Sequence, residues 1–265
     1  MRFSSSLLAL ALIPLAPLQA QEQPASAPPE APEQERIRVA VGPQLQPSYP
    51  GSDRMVVRPF IGVDRAKAGE QFRFSAPDEG FGFKLVKWSG GGIGPSIGFT
   101  GRRRAQDVGG LNGFGFTVEA GAFVEQYVTP ALRLRLDARQ GLGGHGGLVS
   151  NISADYVARR ADQWLFSFGP RLTLADGKYQ RAYFGVDPAG SRMSGLPAYR
   201  PDGGLRSVGA AAQYLTQFSR RVGIVSYVKY DRLVDDAARS PVVRAFGSPN
   251  QFSGGLALTY TFTRR

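Results

Sequence analysis

Gly141-Leu142-Gly143-Gly144-His145-Gly146 has the spacing GxGxxG. That motif cradles a pyrophosphate only where a strand precedes it and a helix N-terminus follows. Here Gly147 to Arg160 reads as a strand, so the tract is expected to be a flexible external loop. His145 is the one histidine of the chain. As a general base it would need a nucleophile within hydrogen-bond reach and a third group to orient it. A glycine tract supplies neither, and a solvated loop histidine is the expectation. Asp53, Asp187, Asp202 and Asp231 lie near loops without the spacing of a cation site. The chain has no Cys, which removes thiolate nucleophiles, disulfides and thiolate metal centres. No catalytic residue, cofactor or metal is expected, and the protein reads as non-enzymatic.

Charge gives a second lead. Lys and Arg number 32 against 21 Asp and Glu, a formal net charge of +11. Arginines cluster at Arg102-Arg103-Arg104, Arg159-Arg160, Arg220-Arg221 and Arg264-Arg265. Nucleic acid would call for a basic patch interleaved with aromatics. These clusters instead fall at the ends of the strands described below, where a guanidinium fork can hold two oxygens of a lipid phosphate. Lipid head groups are therefore expected and nucleic acid is not. Arg102, Arg103 and Arg104 would face lipopolysaccharide, and the other clusters the opposite leaflet.

The elements that must position these residues begin after an address. Arg2 leads into an apolar run from Leu7 to Leu18, followed by Gln19 and Ala20, as in a secretory signal peptide of residues 1–20. Residues 21–35 are rich in Pro, Ala and Glu and read as a disordered tether. From residue 36 the signal is alternation. Leu132, Leu134, Leu136 and Ala138 face away from Arg133, Arg135, Asp137 and Arg139, and a helix would scatter those leucines over several faces. Strands are predicted over 36–45, 55–64, 70–76, 81–88, 92–102, 115–127, 131–141, 148–160, 163–174, 205–217, 222–233 and 251–263. The connections between the later strands alternate strictly between long and short. Outer-membrane barrels sort their loops in this way. The expected fold is thus all-β: a transmembrane antiparallel up-and-down barrel of about 12 strands (10–14 possible) over residues 36–265, with a long external loop at 175–204. Arg133, Arg135, Arg139 and Lys229 would line a wet or salt-bridged lumen. A lipocalin-like barrel would have fewer strands and an apolar cavity, and a sandwich would leave long edges exposed.

Scattered motifs carry a family resemblance. They are Tyr49-Pro50-Gly51-Ser52-Asp53, then Tyr183-Phe184-Gly185-Val186-Asp187-Pro188, Tyr199 and Gly203-Gly204. Tyr230-Asp231-Arg232-Leu233, Ser240-Pro241 and the closing Tyr260-Thr261-Phe262 complete the ordered set. The chain resembles the MipA/OmpV family of outer-membrane proteins (MltA-interacting protein). The resemblance implies a Gram-negative outer-membrane barrel acting as a scaffold between a lytic transglycosylase and a murein-synthesising penicillin-binding protein. Two further readings stand beside it: a narrow channel or exporter for small, anionic solutes, and a surface adhesin. One departure is that Phe262 is followed by Thr-Arg-Arg, whereas such barrels commonly end on an aromatic residue.

Overall fold

A computed structural model describes residues 35–264. The expected leader and residues 21–34 of the expected tether lie outside them, and Glu35 already opens the first strand. The strands, in chain order, are β1 (Glu35–Pro47), β2 (Met55–Lys67), β3 (Phe81–Gly82), β4 (Val86–Trp88), β5 (Gly91–Thr100) and β6 (Thr117–Thr129). They continue as β7 (Leu132–Leu142), β8 (Leu148–Arg160), β9 (Trp164–Ala175), β10 (Gly204–Gln217), β11 (Val222–Leu233) and β12 (Asn250–Arg264). All pairings are antiparallel, and the sheet runs β2-β1-β12-β11-β10-β9-β8-β7-β6-β5-β3, with β4 also on β5. β1 pairs with β12 through Val39 and Tyr260, so the first and last long strands lie side by side. No helix among the described residues is long and apolar enough to cross a membrane; the crossing elements are the strands.

The pleat explains the composition. Leu134, Leu136, Ile152, Phe166, Phe168, Leu172, Leu256 and Leu258 point outward and are exposed, while Arg133, Arg135, Asp137, Asp155 and Arg171 on the alternate positions are buried. Exposure on that scale suits lipid, because hydrocarbon covers the apolar side and the ladders satisfy the backbone. Register fixes which charges meet. Glu125 lies opposite Arg135 between β6 and β7, and Arg133 opposite Asp155 between β7 and β8. A slip of one residue would turn this whole set toward lipid, where each arginine at mid-depth costs about 2–4 kcal/mol and each carboxylate less.

Two expected strands come out differently. Residues 70–76 are not a strand. Phe72, Phe74 and Ala76 alternate as a strand would, yet they are buried inside the barrel: Phe72 and Phe74 lie on arginine faces, and Phe74 and Ala76 join an inward apolar cluster with Val157, Leu165, Leu215 and Val225. Phe72 lies under Arg36 and Arg38, with guanidinium carbons 4.8 and 4.4 Å from the ring centre, and Phe74 lies 4.3 Å from Arg133. Residues 68–80 therefore form a strap through the lumen. The segment 81–88 is broken into β3 and β4, which pair with β5 through Phe81–Ile97 and through Val86–Ile93 to Trp88–Gly91. Among the described residues no ladder joins β2 to β3, β4 or β5, so the sheet carries a seam there. Near the end of β2 where the long loops lie, side chains bridge it: Arg58 sits against Gly101, and Arg54 pairs with Asp107 at 2.7 Å.

The long loops gather at one end of the sheet. Loop 176–203 contains α1 (Gly177–Phe184) and α2 (Pro188–Ser194), and loop 234–249 contains α3 (Asp235–Arg239) and α4 (Pro241–Phe246). Asp176, Asp187 and Ser240 cap α1, α2 and α4 by accepting from the backbone N–H groups of Tyr179, Gly190 and Val242. Pro188 and Pro241 open their helices, where a missing N–H costs nothing. The apolar faces of these helices make a core of their own with Tyr49, Val108 and Leu111.

Candidate functional site

The lumen holds a continuous ladder of ion pairs built on β6 to β9, β11 and the strap. At its centre Asp155 accepts from Arg133 Nη2 and from Arg171 Nη2, both at 2.7 Å. Arg135 donates to Glu125 at 3.0 Å and to Asp137 at 3.1 Å. Arg139 donates to Asp137 at 2.6 Å and to Glu119 at 3.0 Å. Lys84 closes on the other oxygen of Glu125 at 2.6 Å. The strap adds two carboxylates. Asp78 accepts from Arg171 Nε at 2.9 Å and meets Lys229 Nζ at 3.2 Å. Glu79 is bound by Arg133 and lies 3.7 Å from Arg135. All four residues expected to line the lumen thus lie in one network: Arg133, Arg135, Arg139 and Lys229. The space left beside it is a cavity of about 20 Å³ lined by Asp78, Glu79, Arg171 and Lys229 among others, room for about one water molecule. Along this path Arg133, Arg135, Arg139 and Arg171 each already donate to carboxylates.

Above the ladder sits the cap. Tyr179 stacks edge-on against His145, with ring centres 4.7 Å apart, and its hydroxyl accepts from Arg206 at 2.6 Å. Tyr183 packs against Phe114 at 4.9 Å and against Tyr179 at 4.7 Å. Burial pushes the Tyr183 phenol well above its ordinary pKa, so it stays neutral. The family motifs converge here. Tyr49, Ser52, Tyr183, Phe184, Val186, Leu233 and Ser240 are all buried. Gly51, in the left-handed region at φ 95°, and Ser52 are held by the Gln251 side chain, at 2.9 Å from the Gly51 N–H and 3.1 Å from the Ser52 carbonyl. Ser240 donates to the Phe184 carbonyl at 2.7 Å, and Pro241 follows it at the start of α4. Gly185 caps α1, Val186 bridges to Tyr199, and Gly203 lies against Gly177 before Gly204 opens β10. Tyr230 stands on the wall against Phe252, Asp231 pairs with Lys229 at 3.0 Å, and Asp53 is exposed.

Two expectations are corrected by this geometry. His145 is not a solvated loop histidine. It is 2 % exposed, its Nε2 lies 3.1 Å from Glu119, and its Nδ1 accepts from the Gly147 N–H at 3.1 Å. Gly143, Gly144 and Gly146 all take positive φ, and that tight turn folds the ring inward beneath Tyr179. Nor does Arg103 face lipid. It turns inward, donating to the carbonyls of Tyr183 at 2.8 Å and Asn112 at 2.6 Å. Its neighbours Arg102 and Arg104 are exposed. Continuing the parity of β5, where Gly94, Ser96 and Gly98 are buried, would turn Arg102 and Arg104 inward, so the inward turn of Arg103 comes from the loop after Thr100 and was not legible in the alternation. Asp137 falls on the charged face expected from the sequence, whereas the acids Asp78, Glu79, Glu119, Glu125 and Asp155 were not foreseen as site residues. Glu125, Asp137 and Asp155 share the inward parity of the arginines, whereas Asp78 and Glu79 depend on the strap.

The cap contains one acid-sensitive joint. Asp236 accepts from Arg239 at 2.7 Å and from the Asp202 backbone N–H at 3.0 Å, and these bonds hold its carboxyl below the ordinary range. A depressed folded-state pKa contributes stability above the unfolded value of about 3.9, and that stability is lost as pH falls through the folded value. Pepsin is expected to cut 195–203 faster as pH falls from about 5 to about 2, and Asp236→Asn should flatten that dependence. An equal pH response in both proteins would count against the joint.

The sequence model of the family described as MltA-interacting protein MipA matches residues 39–262. No curated protein matches the chain. Among solved structures, OmpT of Vibrio cholerae, an outer membrane protein, is 6% identical with a TM-score of 0.36, covering 86% of this chain and 96% of that one. A bacterial polysaccharide outer membrane secretin is 8% identical with a TM-score of 0.32, covering 86% and 98%. OprB of Pseudomonas putida is 10% identical with a TM-score of 0.23, covering 87% and 93%. Scores this low carry no argument, and the fold rests on the ladders themselves. An apolar outer wall, a charged interior and loops sorted to one end describe a barrel of the Gram-negative outer membrane. With the family model spanning nearly all the described residues, the chain belongs to the MltA-interacting protein MipA family.

Proposed function

We propose that the protein is a non-enzymatic, non-conducting barrel that serves as an envelope scaffold, linking a lytic transglycosylase to a penicillin-binding protein in peptidoglycan assembly. The observation that carries the reading is the filled lumen: its charges are paired, and the cavity beside them is about 20 Å³. A resting solute channel would need a continuous wet path. The name of the family, an MltA-interacting protein, supports a murein enzyme as the partner.

The short-turn end is the face such an enzyme would meet. Arg160, Arg220, Arg221 and Arg264 are exposed there, close to both chain ends. A ring of cations suits lipid phosphates and acidic protein surfaces alike. Residues 21–34 precede β1 in the chain and carry Glu22, Glu30 and Glu33. Pull-down of periplasmic murein enzymes by the full mature chain, and by a chain lacking 21–34, tests the reading. Retention of a lytic transglycosylase and a penicillin-binding protein by the full chain is expected. Retention of neither by either protein contradicts scaffolding.

A further inference from the structure

Asp78 and Glu79 are adjacent in the chain, and each meets two cations from the barrel wall. Asp78 lies between Arg171 of β9 and Lys229 of β11, while Glu79 lies between Arg133 and Arg135 of β7. The segment that carries them is not itself wall. Residues 71–80 form no strand, and side chains tie the strap to the barrel: Phe72 N–H donates to Asp162 at 3.1 Å, and Arg159 donates to the Phe72 carbonyl at 2.8 Å. Both ends of the strap are fixed to the two edges of the seam, Lys67 at the end of β2 and Phe81 at the start of β3. The strap can therefore leave the lumen without parting any strand-to-strand ladder.

From this arrangement we infer that the strap is a displaceable plug, and that Asp78 and Glu79 occupy a preformed site for a phosphate-bearing ligand with at least two anionic oxygens. The chemistry of the site is that of a diphosphate or a phosphate monoester. Three guanidiniums, those of Arg133, Arg135 and Arg171, offer N–H groups to the ligand's oxygens, and Lys229 adds a point charge. Without the strap, Arg171 and Lys229 lose the acid they share, and Arg133 and Arg135 lose Glu79. The other carboxylates of the ladder, Asp155, Glu125, Asp137 and Asp231, remain on the wall and hold the cations in place. The arrangement behaves as a tethered competitor, whose effective concentration of about millimolar or more must be overcome by a free ligand.

The test uses the full mature chain refolded in detergent, titrated with inorganic pyrophosphate and, separately, with a short-chain phosphatidic acid below its micelle concentration. Asp78→Asn with Glu79→Gln removes the competitor, and affinity for at least one of the two probes should rise by about tenfold or more. Adding Lys229→Gln should reverse the gain. Preference for phosphatidic acid would assign the site to a lipid head group, and preference for pyrophosphate to a free phosphate compound. A folded double variant that binds neither probe more tightly than the parent overturns the inference. If that variant does not fold, hydrogen exchange on the parent protein decides. Faster exchange at 71–80 in millimolar pyrophosphate, with β7 unchanged, supports the plug; unchanged exchange there refutes it.

Discussion

Replacing Asp155 with Ala is expected to lower the unfolding free energy by about 3–5 kcal/mol, the effect of leaving a buried charge without its partner. Asp155 is fully buried and serves two arginines at once, Arg133 and Arg171, each at 2.7 Å. Truncation takes a carboxylate from both. Arg133, itself fully buried, would keep Glu79 and a longer contact to Glu125 at 3.4 Å, and Arg171 would keep Asp78. Of those three remaining acids, Asp78 and Glu79 sit on the strap and Glu125 on β6, so the wall strands β7, β8 and β9 would lose the charge that stitches them across the lumen. Asp155→Asn keeps the shape and hydrogen-bonding capacity but not the charge, and should fall between parent and Ala. The midpoint of the heat-dependent mobility shift on gels, or of urea unfolding, reads the series. Equal midpoints for all three proteins would mean that the ladder does not stabilise the barrel.

Phe184→Ala is the second large effect, and it should be local. The ring is fully buried beside Tyr183 on α1 and against Gly51, and removing a buried aromatic costs about 3–5 kcal/mol. The wall ladders do not depend on it, so the barrel should stay folded while the cap loosens. Protease treatment of intact cells is then expected to cut 176–203 rapidly in the variant and slowly in the parent. That comparison also tests topology, because only an external cap is reachable. Loss of the barrel together with the cap would mean that the two cores fold as one unit.

Much of this architecture could be read from alternation alone. The strand of residues 132–142 was plain because Leu134 and Leu136 stand opposite in parity to Arg133, Arg135 and Asp137, and one face had to meet lipid. The loops followed from the spacing of such segments. Residues 70–76 defeated the same logic. Phe72, Phe74 and Ala76 have a period of two, and nothing local distinguishes an apolar residue facing lipid from one lying on a guanidinium face. That choice is made by Arg36, Arg38 and Arg133, which are distant in sequence. His145 was misread for a similar reason. Its glycines suggested looseness, whereas three positive φ values make a turn that only glycine adopts readily and that delivers the ring to Glu119. The family motifs were visible as a set, but their common destination in the cap was not, because that core is assembled from several loops as far apart in the chain as those of Tyr49 and Val243.

Paired charge fills the resting lumen, and single-barrel recording in planar bilayers reads whether it also seals it. Purified parent protein should insert without discrete conductance steps at moderate voltage and neutral pH. Reproducible steps from the parent, anion-selective in particular, would contradict the account.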